Sequence, residues 1–169
     1  MFYDASLVLC GSVGSNGALV GQACNGAGNI TSTNTIDMGP PGLGGSPVQL
    51  GDPGTGEPVL IHVHARTTPV GGTSVRFQLI QADDALLTVG VQVLNQTDDL
   101  PLSAFAPLPG LPAGRHDYIA WPPATFAPKR FVGMRIVNTG PIANLSVFAC
   151  VVAGPQDPNR PMRSGYSMS

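Results

Sequence analysis

At 169 residues the chain is long enough to bury one substantial core and leaves little room for two domains. Its 22 glycines and 17 prolines punctuate apolar runs without any period, which excludes collagen-like and disordered classes. Charged residues are only 11% of the chain and the net charge is −2, so an isolated monomer has little electrostatic protection against association.

The charges are unevenly placed. Up to Gly114 there are eight acidic and two basic residues, and from Arg115 onward two acidic and six basic. Six dispersed cations do not make the clustered basic face that nucleic acid requires, so no direct nucleic-acid partner is expected.

In chain order, Phe2 to Cys10 reads as a first strand. It lacks a basic region and its apolar run stops at Cys10, unlike a secretion signal. Gly11 to Asn29 is Gly, Ser, Asn and Ala with almost no large side chains, and reads as a long mobile loop. Ser32 to Asp37 is a short β-branched edge or pairing strand, followed by a second Gly/Pro-rich insertion over 40–58. Val59 to Ala65 alternates clearly, with Val59, Ile61, Val63 and Ala65 on one face and Leu60, His62 and His64 on the other.

After a turn at Pro69 to Gly72, Val75, Phe77 and Leu79 alternate with Arg76, Gln78 and Ile80. Leu86 to Leu94 forms a further strand with Leu87, Val89, Val91 and Val93 on one side. Prolines demote Leu100 to Leu111 to an irregular edge segment, and His116 to Trp121 is another strand. Arg130 to Ala153 holds two apolar runs around the turn signal Asn138-Thr139-Gly140-Pro141, which predicts an antiparallel hairpin. Its second run, Leu145 to Val152, is apolar on both faces, so another sheet or another subunit should cover the second face. The tail from Gly154 has no strand pattern and reads as an arm. No stretch reaches the ~20 apolar residues of a membrane-spanning helix, and no membrane partner is expected.

About eight strands with frequent turns predict an all-β fold, an antiparallel two-sheet β-sandwich. Jelly-roll topology is the preferred order. Residues 1–153 form the single domain, with loop insertions at 11–29 and 40–58 and an extended C-terminal arm at 154–169.

Few residues invite chemistry. Cys10, Cys24 and Cys150 are an odd count without CxxC spacing and read as small apolar thiols, although a Cys10–Cys24 bridge is conceivable. His62-x-His64 places two imidazoles on one strand face, a spacing used by metal sites, but a third ligand such as His116 would have to come alongside. The simpler reading is a polar sheet face or a contact surface. Asp83-Asp84 and Asp98-Asp99 sit where turns need carboxylates to hold backbone N–H groups. The Gly-rich segment carries neither a Walker pattern nor a dinucleotide fingerprint. No catalytic residue, metal or cofactor is expected, and the chain is not read as an enzyme.

Several phrases taken in order carry a resemblance. Met1-Phe2-Tyr3-Asp4-Ala5-Ser6-Leu7-Val8-Leu9, Ser32 to Gly39, Gly56-Glu57-Pro58-Val59-Leu60-Ile61, Leu111-Pro112-Ala113-Gly114 and Arg130 to Ile136 together resemble the Bbp16-type capsid cement (decoration) proteins of tailed bacteriophages. The resemblance implies a jelly roll on the outer surface of the virion capsid, made in the host cytoplasm, that bridges neighbouring major capsid protein subunits. Self-association as a dimer or trimer is also expected. Candidate contacts are the aromatics Phe2 and Tyr3 and the arm residues Arg160, Arg163 and Tyr166. Two other readings stay open. One is a carbohydrate-binding sandwich using Trp121, Tyr118 and Tyr166; the other is a cupin-like metal-dependent enzyme built on His62, His64 and His116.

Overall fold

A computed structural model describes residues 7–39, 59–105, 114–121 and 129–153. Candidate contacts Phe2, Tyr3, Arg160, Arg163 and Tyr166, the 40–58 insertion and the 154–169 arm lie outside the described residues. The strands are β1 (Val8–Cys10), β2 (Ser12–Val13), β3 (Leu19–Val20), β4 (Gln22–Ala23), β5 (Gly26–Thr31), β6 (Ile36–Asp37), β7 (Val59–Ala65), β8 (Ser74–Ala82), β9 (Gln92–Gln96), β10 (Leu100–Pro101), β11 (Arg115–Ala120), β12 (Phe131–Ile142) and β13 (Ser146–Ala153). A 3-10 turn spans Leu102–Phe105. The protein is an all-β structure whose antiparallel sheets pack against each other.

One sheet has the order β1-β13-β7-β11, with β4 pairing to the start of β13. The other has the order β10-β8-β12-β5, with β9 on β8 and β6 on β12. The pairing follows a simple rule. β1 pairs with β13, β5 and β6 with β12, β7 with β11, and β8 with β9 and β10. Segments outermost in the chain pair with each other, as do the innermost, which is the pattern of one long antiparallel ribbon folded over. The β7–β13 and β8–β12 pairings then join its halves into two sheets.

Alternation explains the core. Ile61, Val63, Val147 and Ala149 of the first sheet share one fully buried cluster with Phe77, Leu79, Met134 and Ile136 of the second. Burying each larger apolar side chain stabilises the fold by roughly 1.5–3 kcal/mol. Phe105 meets Phe77 edge-on, with ring centroids 6.3 Å apart.

The expected hairpin is not formed. β12 runs through the Asn138–Pro141 turn signal as far as Ile142, and β13 lies in the opposite sheet. Three extended residues reach roughly 10 Å, which is the spacing of two packed sheets, so 143–145 suffice for a crossing. Asn144 makes the corner in the left-handed region at φ 60°. The side chain of Asn25 accepts from Leu145 N at 2.9 Å and holds the exit.

The segment from Gly11 to Asn29 is not a loop either, since it contains β2, β3, β4 and most of β5. Small residues let its backbone lie directly on other strands. A Cβ at Gly21 would stand 2.3 Å from Ser146 Oγ. Within this segment Val13 and Leu19, from the β2–β3 ribbon, pack on Val8, Phe148 and Cys150. The second apolar face of β13 is thus covered from within the chain.

The strand expected over Leu86 to Leu94 begins only at Gln92. Asp84 accepts from Thr88 N at 2.8 Å and Val89 N at 2.7 Å, which bends the chain away from the sheet. Leu87 takes φ 57° and packs with Ile80 and Ala82 over the outer face of the second sheet. Of the strand expected over Ser32 to Asp37 only Ile36–Asp37 pairs; Ser32 instead turns its buried hydroxyl to Met134 N and to Asn34 O.

Gly133 is where this lid touches the sheet. A Cβ there would lie 2.5 Å from Leu87 Cδ1 and 2.8 Å from Ser32 Oγ. Gly133→Val should therefore destabilise the protein by about 1–3 kcal/mol in chemical denaturation. Adding Leu87→Ala should recover part of that loss, and strict additivity of the two changes would refute the contact.

Candidate functional site

The outer face of the first sheet concentrates the unusual side chains. β11 runs antiparallel to β7 with His116 opposite His64 and Tyr118 opposite His62. On the other side of β7, β13 sets Phe148 opposite His64 and Cys150 opposite His62. Directly opposite residues in a sheet point to the same face, so these six side chains form one patch.

Within the patch the rings are layered. His64 and His116 stack at 4.0 Å between centroids, His116 and His62 at 5.1 Å, and His62 and Tyr118 at 5.0 Å, all within 21° of parallel. His62 and His64 are 6.3 Å apart, so the three imidazoles form a triangle with His116 at the corner that touches both of the others. His62 Nε2 and His116 Nδ1 share a hydrogen bond of 2.8 Å. His62 is buried, His64 half-buried and His116 exposed.

Burial, followed by the His116 neighbour, pushes both His62 and His64 down to about 4. For His64 the Arg66 guanidinium and His62 add to the same direction. His116 is lowered mainly by burial, with Asp117 opposing. At neutral pH the three imidazoles are uncharged.

The histidines meet on the outer face of a sheet, away from the main core between the sheets. The rings are nearly parallel: His64 lies on His116, while His62 and His116 meet nitrogen to nitrogen, so those two nitrogens are engaged with each other. No group of three or more His, Cys, Asp or Glu among the described residues is arranged to hold a metal ion. Tyr118 belongs to this layered patch, whereas Trp121 packs against the main core. These two do not form a shared sugar-stacking platform, and Tyr166 lies outside the described residues.

The other sequence candidates have structural tasks. Asp84 caps the 83–90 turn and is held below the usual carboxylate range by the Val89 amide. Asp83 pairs with Lys129, Asp99 with Arg76, Asp37 with Arg130 and Asp117 with Arg115. Arg130 also lies over the ring of Phe131 at 5.0 Å. The lopsided charge along the chain is thus partly satisfied internally, since Asp37–Arg130 and Asp83–Lys129 join its acidic and basic parts.

Cys10, Cys24 and Cys150 are free and buried, the small apolar thiols that their odd count and spacing suggested. Burial raises Cys10 well above its ordinary value, with Cys24 adding to it, and lifts Cys24 and Cys150 to about 12. Such thiols remain protonated and are poor nucleophiles at neutral pH.

The class defined by this fold and patch is an antiparallel β-sandwich bearing a layered imidazole–phenol ladder on an outer sheet face. No protein-family model matches the chain, and no curated protein matches it.

A disulfide-exchange thiol reagent at pH 7.5 should label none of the three cysteines in the folded protein and all three in denaturant. Rapid labelling of the native protein would show that their burial is misplaced.

Proposed function

We propose that this chain is a structural virion protein that binds the outer surface of a tailed-phage capsid and cements neighbouring major capsid protein subunits. The observation that carries the reading is the pairing order. First with last and innermost with innermost among the described strands is the order a wrapped jelly-roll ribbon would have, a topology common in viral capsid proteins, and it supports the reading. Among the described residues, parts of three phrases resembling the Bbp16-type cement proteins lie on paired strands of that ribbon. Val59-Leu60-Ile61 opens β7, Ile36–Asp37 pairs with the start of β12, and Phe131 to Ile136 forms β12's first half.

The candidate chemistry supports a binding role over a catalytic one. Its thiols are protonated, and of its paired acids Asp84 holds a turn while Asp83 and Asp99 are in ion pairs. The mechanism is mass action. A protein that binds the assembled shell and not the free subunit stabilises the shell by RT ln(1 + [L]/Kd), about 2.7 kcal/mol per site at a hundredfold excess over Kd. On this reading the arm at 154–169, with Arg160, Arg163 and Tyr166, and the N-terminal Phe2 and Tyr3 reach the major capsid protein, and copies of the chain associate on the shell.

The test is to mix the purified protein with phage heads assembled without it, pellet them, and follow occupancy together with rupture temperature. Saturable binding with a raised rupture temperature is expected, and truncation after Gly154 should lower the affinity. Failure to bind intact heads would overturn the proposal.

A further inference from the structure

We infer that the His64–His116–His62–Tyr118 ladder is a proton-operated latch that fastens the edge strand β11 to β7 at neutral pH and lets it go in acid. This inference concerns the fold itself and stands apart from the capsid reading.

The hydrogen bond is the first part of the argument. Between His62 Nε2 and His116 Nδ1, 2.8 Å apart, one nitrogen donates and the other accepts. That arrangement tolerates a single charge on the pair. With a second proton an N–H faces an N–H and the bond is lost. The stack is the second part. His64 lies on His116 at 4.0 Å, so charging both puts two cations face to face.

Among the described residues the surroundings set one carboxylate, Asp117, against those charges. From β13 the patch is faced by the Phe148 ring and the protonated Cys150 thiol. From β7 the charge acting on His64 is Arg66, another cation. From β11, Asp117 is the carboxylate acting on His62 and His116, and the Arg115 guanidinium holds both its oxygens, at 2.7 and 2.9 Å. Tyr118 adds a neutral ring above His62.

Position makes the effect local. β11 ends the sheet order β1-β13-β7-β11, and β7 is its strand partner among the described residues. Its other fastenings there include Ile119 in the core and the bonds from Asn95 to Ala120 O and from Arg115 to Ala104 O. The sign follows from the histidine values. The unfolded chain takes up protons near 6.5, while His62 and His64 resist until about 4. Their stabilisation is complete above pH 6.5, shrinks as pH falls, and is gone by about 4.

The experiment is an NMR titration of the full chain, with hydrogen exchange read at pH 7 and pH 4.5 and corrected for intrinsic rates. The histidine signals should titrate well below 6.5 in a coupled fashion. Tyr118 and Ile119 amides should lose protection by about tenfold more than amides of β8 and β12. The double substitution His64→Phe and His116→Phe keeps the stacked pair and leaves His62 with no second imidazole to charge beside it, and should retain β11 protection at pH 4.5. Should that variant fail to fold, the wild-type exchange data decide. Independent titration near 6.5, equal loss of protection in all strands, or an acid-released β11 in the Phe variant would each overturn the latch.

Discussion

The fold depends on one constraint: the last two strands are consecutive in the chain yet central in opposite sheets. β12 is bonded on one side to β8 and on the other to β5 and β6, while β13 is bonded to β7 and to β1 and β4. Between them only 143–145 cross from sheet to sheet. That crossing is tied down densely. Val70 and Ala143 exchange backbone bonds, Ser146 N donates to Thr67 Oγ1, the Thr67 hydroxyl donates to Asn144 O, and Leu145 is buried. Just before it, the buried Asn138 donates to Cys24 O and Gly26 O, pinning the Gly-rich segment to the same corner. Because β1 pairs with β13, the first described strand waits for the end of the domain, a non-local topology that closes slowly.

Low charge and two-sided apolar strands suggested a protein that lies against neighbours. The structure shows how much of that apolar surface the chain covers for itself. The β2–β3 ribbon lies over Phe148 and Cys150, and Leu87 with Val91 lies over Ile80 and Ala82. The two-sided apolarity of β13 therefore does not require a second copy. Among the described residues the large apolar side chains left exposed are Leu86 and Val89 beside the Leu87 lid, Val70 near the crossing, Val20 on the β2–β3 ribbon and Leu7 before β1. A binding role has to be carried by such tips, by β11 with its patch, and by the segments outside the described residues.

Strict alternation with large β-branched residues was legible. Val59–Ala65 is the predicted strand residue for residue, and the alternating Val75–Ile80 lies within β8. Three features were not, each for a physical reason. The Asn138–Pro141 signal is that of a hairpin turn, but turn chemistry says nothing about which sheet the next strand joins, and a register shift between Asn138 and Ile142 lets β12 continue. Glycine-rich composition looks like loop because it lacks side chains, yet the same lack allows close backbone pairing. The Leu87-Val89-Val91-Val93 alternation was real, but the carboxylate of Asp84 claims the amides of Thr88 and Val89 before a ladder can. For the patch, His62-x-His64 was visible as a shared face. That His116 would come alongside both of them depended on the β7–β11 register, which strand periodicity does not reveal.

That register bears on why histidines are there at all. Neutral imidazoles stack and bury much as other aromatic rings do, so packing alone would be served by Phe or Tyr without any loss in acid. Among the described residues the other buried polar side chains are Ser32, Gln78, Gln81 and Asn138, a hydroxyl and three amides, none of which titrates. Gln78 bonds Gln96, Gln81 bonds Gln92, and Asn138 bonds the backbone, so those contacts are indifferent to pH. Among the described residues the interior polar group that gains a proton in mild acid is His62, and it sits directly beneath the edge strand. Among the described residues the acid response of the buried polar groups is therefore concentrated at the β7–β11 seam, while the buried amides of the β8–β12 sheet keep their hydrogen bonds.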